Sequence, residues 1–105
     1  MERQVIWAQA AQEDLDAAAA YIQRDSSAYA ASFVIRALAV GRSLMEFAER
    51  GRMVPEFLDK NVREVFIDNY RFIYRIGGER ISILALIHGK RDFRDAWEEK
   101  ERNII

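Results

Sequence analysis

The hydrophobic pattern along the chain changes period twice, and each change marks a change of secondary structure. Gln4-Val5-Ile6-Trp7-Ala8 is short and β-prone, which predicts a first strand. From Ala10 to Arg24 the pattern switches to Leu15, Ala18, Ala19 and Ile22, three or four residues apart, one face of a helix. Glu13, Asp14 and Asp16 fall near its start, where the helix dipole favours carboxylates. Asp25-Ser26-Ser27 breaks the pattern and offers Ser26 or Ser27 as the N-cap of a second helix. In that helix Phe33, Ala37, Val40, Leu44 and Phe47 form an apolar stripe, flanked by Val34, Leu38, Met45 and Ala48, and Gly51 follows as a stop. The stripe predicts core along its whole length. Two helices with so short a link form an antiparallel hairpin whose apolar face needs a cover.

Arg52–Lys60, with Pro55, reads as a connecting loop. The period then drops to two. Val62–Ile67, Tyr70–Ile76 and Arg80–His88 read as strands, divided by Asp68-Asn69 and Gly77-Gly78-Glu79, which is turn chemistry. A three-stranded antiparallel meander is the simplest arrangement, with the first strand joining at an edge. The fold class expected is α+β: an N-terminal strand and a two-helix hairpin packed on one face of an antiparallel sheet of three to four strands. A short helix closes the chain, with Asp92 as its cap, Phe93 and Trp97 on one face, and Glu98 placed to pair with Arg102. One domain is expected over residues 1–105, with a core at 4–92 and a charged tail at 93–105.

Composition narrows the chemistry. Half of the 105 residues are hydrophobic and 31% are charged, the balance of a folded domain. There is no cysteine and one histidine, so neither a disulfide framework nor a metal or other cofactor is expected. No apolar run approaches the ~20 residues of a membrane span, and Met1-Glu2-Arg3-Gln4 shows no signal peptide, so a cytoplasmic protein is expected. The net charge is −1, but residues 61–91 hold six basic against three acidic residues. That local excess is too small to argue for sequence-specific DNA binding by the chain alone.

Several segments carry a resemblance. They are Ala10-Ala11-Gln12-Glu13-Asp14-Leu15 followed by Tyr21-Ile22; Ala31-Ser32-Phe33; and Gly51-Arg52 with Val54-Pro55-Glu56. Further on come Val62-Arg63-Glu64, Tyr70-Arg71-Phe72-Ile73-Tyr74-Arg75, and Ile87-His88-Gly89-Lys90-Arg91-Asp92. In this order the chain resembles, over roughly residues 4–92, the RelE/ParE superfamily of toxins from bacterial type II toxin–antitoxin systems. The resemblance implies a growth inhibitor neutralised by a cognate antitoxin. It also implies one of two targets: DNA gyrase, poisoned by protein–protein contact (ParE-like), or messenger RNA on the ribosome, cleaved by an endonuclease (RelE-like).

Strand periodicity proposes a site. In Tyr70–Ile76, Phe72, Tyr74 and Ile76 share one face and Arg71, Ile73 and Arg75 the other. In the last strand Ile81, Ile83, Ala85 and Ile87 are expected to meet the helices, leaving Ser82, Leu84, Leu86 and His88 outside. Placing Arg63, Val65 and Ile67 on the open face completes a surface of Arg63, Val65, Arg71, Ile73, Arg75, Leu84, Leu86 and His88, with Arg91 nearby. A monomer seldom leaves such an apolar patch bare. Its cover is either the tail, through Phe93, Trp97 and Ile104-Ile105, or an antitoxin segment.

Under the nuclease alternative His88 would act as base or acid and Arg63 and Arg71 would grip the phosphate. The nucleases of the superfamily usually add a lysine pair or a glutamate, and an aromatic residue or tyrosine near the C-terminus. Here Gly89 follows His88, the loop and second strand supply only Lys60, and the net charge is poor for docking on ribosomal RNA. The ParE-like reading is therefore preferred, with no catalytic residue. A member that has lost toxicity and only binds antitoxin is the third class.

Overall fold

Eight elements follow in the order β1 (Gln4–Trp7), α1 (Gln9–Gln23), α2 (Ser27–Ser43), β2 (Arg52–Met53), β3 (Val62–Ile67), β4 (Tyr70–Ile76), β5 (Arg80–His88) and α3 (Phe93–Ile104). They belong to a computed structural model that describes residues 3–104, and side chains for residues 3–100. The class is α+β, as the pattern predicts, but the sheet has five strands in the order β1-β5-β4-β3-β2. β1 joins β5 in parallel at one border and the remaining pairs are antiparallel. The fifth strand is β2, two residues inside the segment read as a loop, paired as Arg52 with Glu64 and Met53 with Arg63.

The helices begin where their caps say. Ser26 is the N-cap of α2, its Oγ accepting the Tyr29 N–H at 3.0 Å. Asp92 does the same for α3, accepting from the Asp95 N–H at 3.1 Å. α1 opens on Ala8 with no side-chain cap and no acid in its first turn. The acidic residues at 13, 14 and 16 come a turn too late to serve the dipole, and Asp14 has a different task, described below. α2 ends at Ser43, and the chain leaves the stripe after buried Leu44, so Phe47 is 63% exposed rather than core.

The sheet is buried on both faces. Against α1 and α2 lie Phe72, Tyr74, Ile81, Ile83, Leu86 and Ile67, meeting Ala11, Leu15, Ala18, Phe33, Ala37 and Leu44. Against α3 lie Val62, Ile73, Ala85 and Ile87 with Val54, meeting Phe93 and Ala96 and flanked by Phe57, Leu84 and Trp97. A bulge makes this possible. Ile73 pairs with Ala85 but Tyr74 pairs with Ile83, so Leu84 is an extra residue in β5. Beyond it the alternation inverts: Ala85 and Ile87 turn to α3, and Leu86 and His88 turn to the hairpin. Both outcomes reverse the expectation from unbroken periodicity.

The first hairpin of the meander corrects a second expectation. Its two-residue turn pairs Ile67 with Tyr70 and Val65 with Phe72. Residues directly opposite share a face, so Arg63, Val65 and Ile67 lie on the helix-hairpin side and Val62, Glu64 and Phe66 on the α3 side. Asp68 takes φ 52 in that turn, a left-handed conformation that Asp tolerates better than most residues.

Gly51 is needed for its lack of a side chain, since its φ is not positive. A Cβ built on it would lie 2.7 Å from the Glu64 carbonyl oxygen and 2.7 Å from the Tyr74 hydroxyl. That hydroxyl accepts the Gly51 N–H at 3.0 Å and donates to the Ala48 carbonyl at 2.7 Å, fixing the α2–β2 connection to the sheet. We expect Gly51→Ala to destabilise the fold by about 1–3 kcal/mol through overpacking, read as a fall of several degrees in thermal midpoint. An unchanged midpoint would mean that this close approach is not what the position requires.

Candidate functional site

The surface drawn from periodicity does not exist as one face. Arg71, Ile73, Arg75 and Leu84 lie on the α3 side, while Arg63, Val65, Leu86 and His88 lie on the side of α1 and α2. Arg91 sits in the β5–α3 turn and donates to Glu99 of α3 at 2.9 Å. Ile73 is fully buried beneath α3, and Leu86 beneath the hairpin.

The α3 side is dominated by an ion network around Glu64, which is 1% exposed. β3 aims its carboxylate along the sheet, where Arg52 of β2 donates at 2.8 Å and Arg71 of β4 at 2.6 Å. Arg71 also grips Glu56 with both terminal nitrogens, at 3.1 and 2.7 Å. The Phe93 ring of α3 lies 4.4 Å from its guanidinium carbon, a cation–π contact that closes the remaining face. The hydrogen bond to Arg71 holds the Glu56 carboxyl below its usual range, and Glu56 in turn keeps the guanidinium firmly protonated. Three of its five N–H groups are spent inside the protein, and the side chain is 12% exposed. Arg71 has little left to offer a phosphate.

The other predicted cations are similarly engaged. Arg63 donates to the backbone carbonyls of Lys60 at 3.0 Å and Gly51 at 2.9 Å, binding the two ends of the 51–60 segment together. Arg75 pairs with Asp59 at 3.2 Å. On the α3 side the tail itself is the cover: Phe93 and Trp97 stack 5.9 Å apart and Phe57 meets both edge-on. Lys100 of α3 forms an ion pair with Asp14 of α1, and the other oxygen of Asp14 accepts the Leu86 N–H at 2.9 Å. β1 pairs only as far as Ile83 of β5, so this carboxylate serves the strand edge that β1 leaves uncovered. Burial pushes the Asp14 carboxyl upward, and Lys100 and the Leu86 N–H oppose it. The expected Glu98–Arg102 pair and the contacts of Ile104-Ile105 lie outside the described side chains.

His88 belongs to a different site. With Tyr21, Ile22, Tyr29, Phe33, Asp68, Asn69 and Tyr70 it lines a cleft of about 140 Å³ at the end of the helix hairpin where α1 connects to α2. Its ring meets Tyr70 edge-on at 4.9 Å, and its Nδ1 accepts the Lys90 N–H at 3.0 Å. At the cleft's rim Asp68 accepts from the Tyr29 hydroxyl at 2.6 Å and from Arg36 at 2.9 and 2.7 Å. Those bonds, Arg36 first, lower its pKa to about 2. Periodicity missed Glu56, Glu64, Asp14, Lys100 and the Asp68–Arg36–Tyr29 cluster. An acidic residue amid a β-branched strand, as Glu64 is in Val62–Ile67, was the one available sign of a buried charge needing a partner.

Among the described residues no helix is long and apolar enough to cross a membrane. Solved structures share the strand, helix hairpin and sheet. The chain superposes on a chain of the chromosomal ParDE toxin–antitoxin system from P. aeruginosa with a TM-score of 0.67 at 22% identity, covering 83% of this chain and 96% of that one. It superposes on a chain of the toxin–antitoxin complex RelBE2 from Mycobacterium tuberculosis with a TM-score of 0.54 at 20% identity, covering 84% and 99%. No curated protein matches in sequence. The class is thus that of the RelE/ParE superfamily toxins. Residues 5–93 match the family described as ParE toxin of type II toxin–antitoxin system, parDE, and the chain belongs to that family.

Two outcomes follow from the charges. Arg71→Ala leaves the buried Glu64 with Arg52 alone and is expected to cost about 3 kcal/mol or more in chemical unfolding. The double change Arg71→Met with Glu64→Leu, which removes both charges, should recover most of that loss. A double variant as weak as the single one would refute this account of the network. Asp68 has a folded pKa of about 2 against an ordinary 3.8, so the stability it adds is complete above 3.8 and disappears as pH falls through about 2. A carboxyl-carbon NMR titration should place its midpoint there, and Asp68→Asn should flatten the acid limb of the stability curve.

Proposed function

We propose that this toxin inhibits growth as ParE-type toxins are understood to, by protein–protein contact with DNA gyrase, in the cytoplasm, without catalytic chemistry of its own. A cognate antitoxin neutralises it; the P. aeruginosa neighbour is part of such a ParDE system. The observation that carries the reading is the separation of the three groups a nuclease would need. Arg71 lies beneath α3 with its donors held by Glu56 and Glu64. Arg63 and His88 are on the other side of the sheet, at opposite ends of β4: Arg63 pairs with Tyr74 and His88 with Tyr70. General acid–base cleavage of RNA needs base, acid and phosphate-binding cations around one phosphate. These three do not converge on any common point, and both arginines already donate to groups of the protein itself.

The test is controlled expression of the toxin in bacteria, with messenger RNA primer extension and plasmid supercoiling read from the same culture. Intact messages with altered supercoiling and DNA breaks are expected, and His88→Ala should leave toxicity unchanged. Codon-registered cuts lost in His88→Ala would replace the gyrase reading with the nuclease one. Normal growth on expression would leave a chain that only binds its antitoxin.

A further inference from the structure

α2 lies on the surface, yet its outer side carries almost no charge. Ala30, Phe33, Ala37 and Gly41 are its buried residues, and Arg36 reaches sideways to Asp68 in the β3–β4 turn. The opposite side is formed by Ala28, Ala31, Ile35, Leu38, Ala39 and Arg42, completed by Ser32, and all of them are exposed. Ile35 is 65% exposed and Leu38 40%. From Ala28 to Ala39 the only charged residue is the matched Arg36. A helix that is apolar on its outer side as well as its inner one belongs in a buried setting.

The spacing of this face says what kind of cover fits. Ala28, Ala31, Ile35, Leu38 and Arg42 follow one another in steps of three and four, the repeat of a seam between two helices. The alanines keep the seam shallow, and the distance between packed helices is set by the side chains at the contact. The charges at its ends say which helix fits. Arg24 and Asp25 precede α2, and Arg42 and Glu46 stand at its end and just beyond. Among the described residues none of these four has an ion-pair partner. Arg24 and Glu46 are equally far from Ile35 in the chain, as are Ala28 and Arg42. A second α2 laid antiparallel over the first, with a two-fold axis through Ile35, therefore sets Arg24 against Glu46. The same axis brings Arg42 over Ala28, close to Asp25.

We propose that the outer face of α2 is a self-association surface, on which two copies of this chain pack antiparallel. Ile35 meets Ile35 on the axis, Ala31 meets Ala39, and the charges at each end meet their opposites. An interface with two-fold symmetry must be self-complementary, and this order of charges satisfies that condition. A parallel pairing would set Arg24 against Arg24 and Arg42 against Arg42. A nucleic acid would find a single unmatched cation on this face, and a membrane surface only two large apolar side chains, Ile35 and Leu38. Such a pair forms whatever the growth target is. Two crossed helices bury less than a standard interface, so a dissociation constant of roughly 1–100 μM is expected.

The chain has no cysteine, so an introduced one reports the register. In the full-length toxin Ile35→Cys should give a disulfide-linked dimer on mild oxidation, because a residue on a two-fold axis meets its own copy. Ala28→Cys alone should stay unlinked, and mixed with Arg42→Cys it should link. Sedimentation of the unsubstituted chain over a range of concentrations should show monomer passing to dimer. Ile35→Glu puts a good helix former at an exposed position; it should abolish the dimer and leave the thermal midpoint nearly unchanged. Glu46→Arg should weaken association about fivefold, and Glu46→Arg with Arg24→Glu should restore it. A double variant as weak as Glu46→Arg alone refutes the antiparallel register. A chain that stays monomeric at millimolar concentration, or dimers that survive Ile35→Glu, overturn the proposal. A monomeric chain in which Ile35→Glu weakens antitoxin binding gives the face to the antitoxin and overturns it as well.

Discussion

Leu84 is one residue more than β4 can pair with, and the rest of the molecule is arranged around that surplus. An unbroken β5 would give Ile81, Ile83, Ala85 and Ile87 to the hairpin core and leave the other face to Ser82, Leu84, Leu86 and His88. The bulge divides the strand instead. Its first half feeds the core beneath α1 and α2, and its second half places Ala85 and Ile87 beneath α3 while returning Leu86 and His88 to the hairpin. One strand thereby supplies apolar residues to two cores. The run Ile83-Leu84-Ala85-Leu86-Ile87 is apolar throughout, as a strand buried on both faces must be, and the bulge decides which of its residues meets which core.

The second core explains the charges. Covering the α3 side desolvates whatever polar groups β3 and β4 place there, and Glu64 is the costly one. A buried carboxylate is tolerated only when its partners are fixed, and Arg52 and Arg71 are fixed by strand pairing on either side of it. Glu56, from the loop, and Phe93, from α3, then complete the enclosure of Arg71. The motif carrying Tyr70, Arg71, Tyr74 and Arg75 is therefore architectural here. Tyr74 ties down the α2–β2 connection, Arg71 neutralises Glu64, and Tyr70 walls the cleft that holds His88.

These commitments bear on function by leaving specific things uncommitted. With Arg71 enclosed under α3 and Arg63 on the other side of the sheet, the candidate arginines form no common phosphate grip. What stays exposed includes large apolar side chains, among them Tyr21, Ile35, Phe47 and Phe66, a kind of surface that recognises polypeptide. This supports the reading proposed above for this member of the ParE toxin family.

Much of this was legible in the residues alone. The helix of residues 27–43, the three strands of the meander and the caps at Ser26 and Asp92 follow from local rules, since period, turn chemistry and capping act within a few residues. The segments shared with toxins of this superfamily pointed to the family before any coordinates. The two-residue turn at Asp68-Asn69 even contained the register of β3, because it obliges Ile67 to share a face with Tyr70; following that constraint would have placed Arg63 and Val65 correctly. The rest was decided in three dimensions. A bulge leaves no local signature, because an extra residue is defined only by the strand opposite it. Whether Arg71 is free or saturated depends on Glu56, Glu64 and Phe93, which lie seven to twenty-two positions away in the chain and come together only when the sheet and α3 have packed.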